Sequence, residues 1–305
     1  MKLYSALLCL ALSSIAYARP VSFMQYNAEN SFDTLHDKGT EDWTYLPHAV
    51  KVNTPEQHAA CKKMSTSFYV EECLNLDWNE TKFTKKMQNV AKVIKAFDNT
   101  NKGADIVMLE EIENINVLNQ LVAKALPGLG YDHKALIEGD DTRGILQVDL
   151  NVNGKAVTVF VNHWPSQSNP TEQRVASAQM LEKLASQSKS ALILAAGDFN
   201  TLKTENPRPF AALANWTDVE PEARKANPSL HAGTHFYKGE WSSLDHIFVY
   251  KKSTVKVDVK NFQIMNRPFL LKKDSRSNEM IPNRFNFETA EGFSDHLPMG
   301  IVIDI

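Results

Sequence analysis

The 305-residue chain is poor in several things at once. It carries only 3 cysteines, 12 glycines and 13 prolines. So few cysteines exclude a disulfide-dense scaffold. So little glycine and proline excludes a collagen-like or low-complexity chain. Neither sign of charge dominates: 33 basic residues face 36 acidic ones, a formal net charge of −3. No basic excess advertises nucleic acid, although net charge reports the whole surface and not one cleft. After the first residues no apolar run approaches the roughly 18 needed to cross a bilayer, so no transmembrane helix is expected. What remains is an ordinary globular composition, 43% hydrophobic and 23% charged, in a chain long enough to bury a large core. The length admits two domains or one large α/β domain.

The beginning of the chain reads differently. Lys2 supplies a positive start, residues 3–15 are apolar apart from Ser and Tyr, and Ala16-Tyr17-Ala18 offers small residues around a cleavage point. This predicts a secretory leader over 1–18 and a single domain over 19–305, secreted or periplasmic. Cys9 leaves with the leader. Cys61 and Cys73 remain, an even pair that an oxidising compartment would join; two separate buried thiols are the alternative.

Strands and helices alternate along the rest. Strands are predicted at 21–27, 104–109, 145–150, 156–161, 191–196, 244–250 and 297–305. Phe83, Met87, Val90, Ile94 and Phe97 recur at steps of four and three, an amphipathic helix. Further helices are expected over 117–126 and 171–187, and an irregular passage over 33–80. Apolar strands interleaved with helices argue layered α/β architecture.

Polar groups stand where these strands end: Asn27, Glu110 and Glu111, Asn162 and His163, Asp198 and Asn200. Others open the late strands, Asp245 and the pair Asp295 and His296. Strand ends of a layered fold can converge on one rim. Carboxylate and amide oxygens are hard ligands suited to Mg²⁺, Mn²⁺ or Ca²⁺, and histidines add proton transfer near neutral pH.

Six short motifs follow in order: QYNAEN at 25–30, DIVMLEE at 105–111, NHWPS at 162–166, GDFN at 197–200, SLD at 243–245 and SDHLP at 294–298. Each alone arises by chance; the ordered set resembles the endonuclease/exonuclease/phosphatase superfamily, the DNase I-like enzymes. With LDWNE at 76–80, it is most similar to their secreted bacterial nuclease-like members. The resemblance implies a four-layer α/β sandwich, two mixed sheets face to face with helices outside. It also implies metal-dependent hydrolysis of a phosphate ester, with nucleic acid as substrate and Mg²⁺ as the first choice of metal, Mn²⁺ or Ca²⁺ being alternatives.

Roles carry over by position. Asn27, Glu111 and Asp295 would attend the metal, with Glu110, standing where Gln is common, the lesser candidate. Asp198 and Asn200 would orient water and hold the phosphate. His296 would transfer protons with Asp245 as its orienting partner, and His163 would serve the leaving oxygen. For each the plain structural alternative is a turn, cap or solvated loop residue. His231 and His235 are four apart, but Gly233 between them argues loop and surface histidines. Arg267, Lys272, Lys273, Arg276 and Arg284 could meet phosphates, a solvated basic face being the alternative; Trp164 and Trp241 could stack on bases or simply pack.

The chain departs from the family pattern after Ile145. DTRGI at 141–145 resembles the start of one family strand, yet LQVDL at 146–150 resembles a later one. A strand and its neighbour are missing between them. The departure predicts unpaired backbone beside the strand that carries His163, and with it a monomer able to pair through an exposed sheet edge. Two other functions stay open: a phosphatase or phospholipase-type esterase on the same scaffold, and a catalytically impaired binding scaffold.

Overall fold

The architecture is set by two strands that have no solvent face. Val21–Ser31 (β1) and Leu192–Asp198 (β5) are buried almost throughout, so each must sit inside a sheet that is covered on both sides. The computed structural model describes residues 19–137, 144–202 and 204–305. The predicted leader, and residues 141–143 at the departure from the family pattern, lie outside the described residues.

The remaining strands are β2 (Ile106–Ile112), β3 (Ile145–Val152), β4 (Lys155–His163), β6 (Trp216–Asp218), β7 (His235–Tyr237), β8 (Glu240–Ser242) and β9 (Asp245–Tyr250). They continue with β10 (Phe262–Ile264), β11 (Leu271–Lys273), β12 (Met280–Pro282) and β13 (Met299–Ile303). One sheet runs β10-β13-β1-β2 and the other β3-β4-β5-β9-β6; β7-β8 and β11-β12 are separate hairpins. Both large sheets are mixed, since β1 is parallel to β2 but antiparallel to β13, and β4 is parallel to β5 but antiparallel to β3.

Side chains alternate across β5 as a strand requires. Leu192, Leu194 and Ala196 join one core with Phe23, Met108, Met299 and Ile301 of the other sheet. Ile193 and Ala195 join a second core with Ala178, Leu181 and Ala185. Those last three lie on helix α6 (Thr171–Gln187), which follows α1 (His48–Lys51), α2 (Pro55–Cys61), α3 (Ser67–Asn75), α4 (Glu80–Lys95) and α5 (Ile115–Gln120) and precedes α7 (Val219–Ala226). Phe83, Met87, Val90 and Ile94 of α4 pack into the first core. The order is therefore helix, sheet, sheet, helix, the four-layer arrangement expected.

The passage 33–80 is more regular than its composition suggests. It forms the three short helices α1 to α3. These are tied by a Cys61–Cys73 disulfide and by the buried Lys51, whose Nζ donates to the carbonyls of Thr44 (2.6 Å) and Leu76 (2.7 Å). The expectation of unpaired backbone beside His163 is corrected: β4 is paired on both sides, by β3 and β5. Among the described residues the segment between α5 and β3 holds no strand, so β2 and β3 themselves end their sheets. Tyr131 donates its hydroxyl to Ala104 O (2.6 Å), just before β2.

The disulfide closes a loop over a sequence separation of 12 and both cysteines are fully buried. Cys61→Ser with Cys73→Ser should cost about 2–3 kcal/mol in denaturant unfolding. Two freely alkylated thiols in the unreduced protein, read by peptide mass spectrometry, would contradict the bridge.

Candidate active site

Positions 25 and 27 of β1 share one face, and both, like Glu29 just beyond them, are polar and buried, Gln25 at 0% exposure and Asn27 and Glu29 at 1%. Buried polar side chains require partners, and here they come both from the adjacent strand β2 and from the facing sheet. Gln25 Nε2 donates to Glu110 Oε2 and to Asp245 Oδ1, both at 2.8 Å. Asn27 Nδ2 donates to Glu111 Oε1 (3.1 Å) and to Asp198 Oδ2 (3.2 Å). Beyond Asn27 the backbone turns left-handed at Glu29 (φ 51°) and Asn30 (φ 45°), and in the adjacent strand at Glu111 (φ 60°). These are uncommon values for residues with a Cβ. They let the Asn30 N–H donate to Glu111 Oε2 (2.8 Å) and hold that carboxylate at the rim.

The second sheet supplies the opposite wall. His163 ends β4 directly beside Asp198, which ends β5. The two strands touch closely because residue 197 is glycine at φ 146°; a Cβ there would collide with the Asn162 carbonyl. His163 Nε2 lies 3.6 Å from Glu111 Oε1 and 3.7 Å from Asp198 Oδ2. Asn200 also has a left-handed backbone (φ 48°); its N–H donates to Asp198 Oδ1 (2.8 Å) and its Nδ2 to Trp164 O (3.1 Å). Trp164 itself is fully buried against Phe199, a packing residue and not a base-stacking one.

His296 enters from the turn before β13. Its Nδ1 is 2.7 Å from Asp245 Oδ2, an oxygen that also accepts from Thr234 Oγ1 (2.6 Å). Its Nε2 is 3.8 Å from Asp198 Oδ2. One carboxylate oxygen, Asp198 Oδ2, is therefore approached by Asn27 and by both histidines.

The charges are tightly interlocked. Burial works against ionisation of Asp245, but His296 and the hydrogen bonds from Thr234 and Gln25 hold its carboxyl below the usual range. The same pairing, with Asp198, raises the His296 imidazole well above its ordinary value despite burial. Glu111 is held low against burial by His163, Asn27 and the Asn30 N–H. Asp198 goes the other way: burial, with Asp245 and Glu111 nearby, pushes it up to about 7 although His296 opposes the shift. Glu110 is raised well above the carboxylate range by burial and by Asp245. Its neutral form resembles the Gln common at that position.

Asp295 stands apart from Glu111. Its N–H donates to Glu29 Oε2 (3.1 Å) and its Oδ2 lies 3.8 Å from Arg284 Nε. Its carboxylate groups with His235 and His296. His235 is the largest surprise: it belongs to strand β7, not to a surface loop, and its ring lies 4.9 Å from that of His296. Glu29, Thr234 and Ser294 were also missed as functional supports. Ser294 Oγ donates to Asn27 O (2.8 Å) and accepts from the His296 N–H (3.0 Å). A further one had a visible signal. Lys86 falls on the apolar stripe of α4 beside Phe83, Met87 and Val90; it is fully buried, over the Phe285 ring, with Nζ donating to Phe293 O (3.1 Å).

The donor set fits a divalent cation. Glu111 and Asp198 are hard oxygen ligands that meet from opposite walls, and a buried carboxylate that resists ionisation beside two others is short of positive charge. Glu111, Asp198 and the Asn27 amide would hold the ion; Asp295, the other expected ligand, is grouped instead with His235 and His296.

A sequence profile of the Endonuclease/Exonuclease/phosphatase family matches residues 131–305, and the chain belongs to that family. Its members are phosphoester hydrolases, generally dependent on a divalent metal. No curated protein sequence matches the chain. Among solved structures it is similar to a TDP2 of D. rerio humanized by 14 mutations: TM-score 0.53, 12% identity, 94% of this chain and 99% of that one. It is also similar to D. rerio TDP2 complexed with single strand DNA product: TM-score 0.52, 14% identity, 94% and 99% covered. An endonuclease/exonuclease/phosphatase family protein from Bacteroides thetaiotaomicron gives a TM-score of 0.50 and 15% identity, again over 94% and 99%. At these identities the likeness establishes the fold.

If Asp245 orients His296, Asp245→Asn should lower kcat by on the order of a hundredfold. Thr234→Val, which removes only the outer hydrogen bond, should have a clearly smaller effect. Steady-state kinetics of the two variants decides, and the reverse ranking would count against the pairing.

Proposed function

We propose that the chain is an exported, metal-dependent phosphodiesterase that hydrolyses nucleic acid by in-line attack of water. The observation that carries this reading is the convergence on Asp198 Oδ2. Two imidazole Nε2 atoms and one amide, delivered by β1, by the end of β4 and by the turn before β13, lie within 3.8 Å of it, and Glu111 stands 3.6 Å from one of those imidazoles.

Such a site divides the labour of phosphodiester cleavage. Asp198 is positioned to accept a proton from water and align it. His296, kept cationic and oriented by Asp245, offers an Nε2–H to the anionic phosphate and shares the proton traffic with Asp198. His163 faces the same space from the other side and can donate from Nε2 to the departing oxygen. Asn200 steadies Asp198 and faces the phosphate. A metal held by Glu111, Asp198 and the Asn27 amide, with Asp295 as a further expected ligand, would neutralise charge on the phosphate and stabilise the charge that develops in the transition state.

Nucleic acid is the substrate this reading selects, and the single-stranded DNA product held by one TDP2 structure of the same fold supports it. Export is supported by the leader-like residues 1–18 and by the disulfide. The catalytic unit is taken as one domain over 19–305. It acts as a monomer, with β2 and β3 as the edges through which pairing could occur; light scattering reports the state.

The test is a substrate panel of DNA, RNA, sphingomyelin and small phosphate monoesters, run with Mg²⁺, Mn²⁺, Ca²⁺ and chelator. Nucleic acid should be cleaved, chelator should abolish cleavage, and Glu111→Ala or His296→Ala should lose on the order of a hundredfold or more. Preference for monoesters or for the lipid would make the chain a phosphatase or phospholipase-type member. Activity indifferent to chelator, or kept by both variants, would overturn the proposal.

A further inference from the structure

The site as described is overwhelmingly acidic, yet a nucleic-acid strand brings more than one negative phosphate. Glu29, Glu110, Glu111, Asp198, Asp245 and Asp295 surround it. Among the described residues, the cations acting on these carboxylates are the two histidines, the buried Lys86 and Arg284. Only Arg284 combines a permanent charge with an exposed side chain, 60% accessible.

Arg284 is also held in place. Its Nε donates to the Glu29 carboxylate, which is 1% exposed and further anchored by the N–H groups of Phe285 (3.2 Å) and Asp295 (3.1 Å). Its backbone is clamped as well. Gly292, at φ 87°, lies so close that a Cβ there would collide with the Arg284 carbonyl. The next residue, Phe293, donates its N–H to Asn283 O (2.7 Å). The segment that clamps Arg284 thus runs directly into Ser294, Asp295 and His296. A guanidinium has five N–H donors; the Nε edge is spent on Glu29, with Asp295 Oδ2 at 3.8 Å. No hydrogen bond from either Nη to a described residue is found.

We infer that Arg284 is a specificity-determining residue that grips the phosphate next to the scissile one on a nucleic-acid strand. The inference rests on the phosphodiesterase reading above and names what that reading lacks, a group that recognises the polymer. Glu29 holds the inner edge of the fork, and the side chain stays exposed at the rim, its Nε 3.8 Å from Asp295 Oδ2. Planar, bidentate recognition of a phosphate is what such a pre-oriented guanidinium does well. A free nucleoside bisphosphate offers the same chemistry as two neighbouring phosphates of a strand, and the two sources separate by length.

The decisive measurement is binding, which needs no turnover. A fluorescent single-stranded deoxyoligonucleotide with phosphorothioate linkages is titrated by anisotropy across a salt series, with Ca²⁺ present. Arg284→Ala should weaken binding by about tenfold at low salt and reduce the slope of log K against log salt by about 0.7, one phosphate contact on a single strand. Arg284→Lys should keep the slope and lose part of the affinity. Arg284→Gln retains a donor for Glu29 and serves if the alanine variant does not fold. Unchanged slope and affinity in both uncharged variants would overturn the assignment, as would a wild-type protein whose binding ignores salt. A merely structural Arg284 would lower the melting temperature without touching the slope.

Kinetics on bis(p-nitrophenyl) phosphate, a diester with a single phosphate, separates the two claims. The ratio of kcat/KM for oligonucleotide over this small diester should fall about tenfold in Arg284→Gln. An equal loss on both would assign Arg284 to the scissile phosphate and refute the flanking role. A nucleoside 3′,5′-bisphosphate that competes as well as the oligonucleotide would refute the polymer. A slope change without hydrolysis of any substrate would uphold Arg284 and refute the phosphodiesterase reading instead.

Discussion

The fold and the site both depend on polar side chains that cross from one sheet to the other. Gln25 reaches Asp245, and Asn27 reaches Asp198, at the end of a sandwich whose middle is apolar. Elsewhere the sheets are held by burial of hydrocarbon, which is indifferent to small displacements. At this end they are held by directional bonds between buried groups, which are costly to leave unmade. The relative position of the two sheets is therefore defined most sharply where the chemistry needs it.

The same crossing explains the imbalance of charge. Four carboxyl groups, on Glu110, Glu111, Asp198 and Asp245, gather at the strand ends with two imidazoles between them. Paired groups such as Asp245 and His296 stabilise each other as ions. The surplus falls on Glu110 and Asp198, which resist ionisation. Perturbed carboxyls of this kind mark functional sites more often than structural ones.

Much of this was legible in the sequence, because strand-end residues keep their spacing to apolar strands that are easily recognised. Asn27, Glu111, His163, Asp198, Asp245 and His296 come from six separate motifs, and the fold brings them to one rim. What stayed hidden depended on contacts far along the chain. His235 looked like a loop residue because Gly233 precedes it; only pairing of β7 with β8 and a bridge to His296 put it at the site. Arg284 read as part of a solvated basic face because its partner Glu29 is 255 positions away. The helices of 33–80 are too short to show a period, and their order comes from the disulfide and from Lys51. Strands 145–150 and 156–161 pair with each other, so β4 is covered and the sheet edge falls on β3 instead.

Lys86 ties the helical layer to the rim. It sits in the middle of α4, yet its charge faces Glu29 and Asp295, and burial lowers it to about 8 although that pairing opposes the shift. The helix cannot come away from the sheet without withdrawing the counter-ion of the carboxylate that steadies Arg284 and the Asp295 amide. Local opening of α4 and loss of the rim are thus one cooperative event. Any ligand that binds only with the rim intact would therefore slow amide hydrogen exchange in α4.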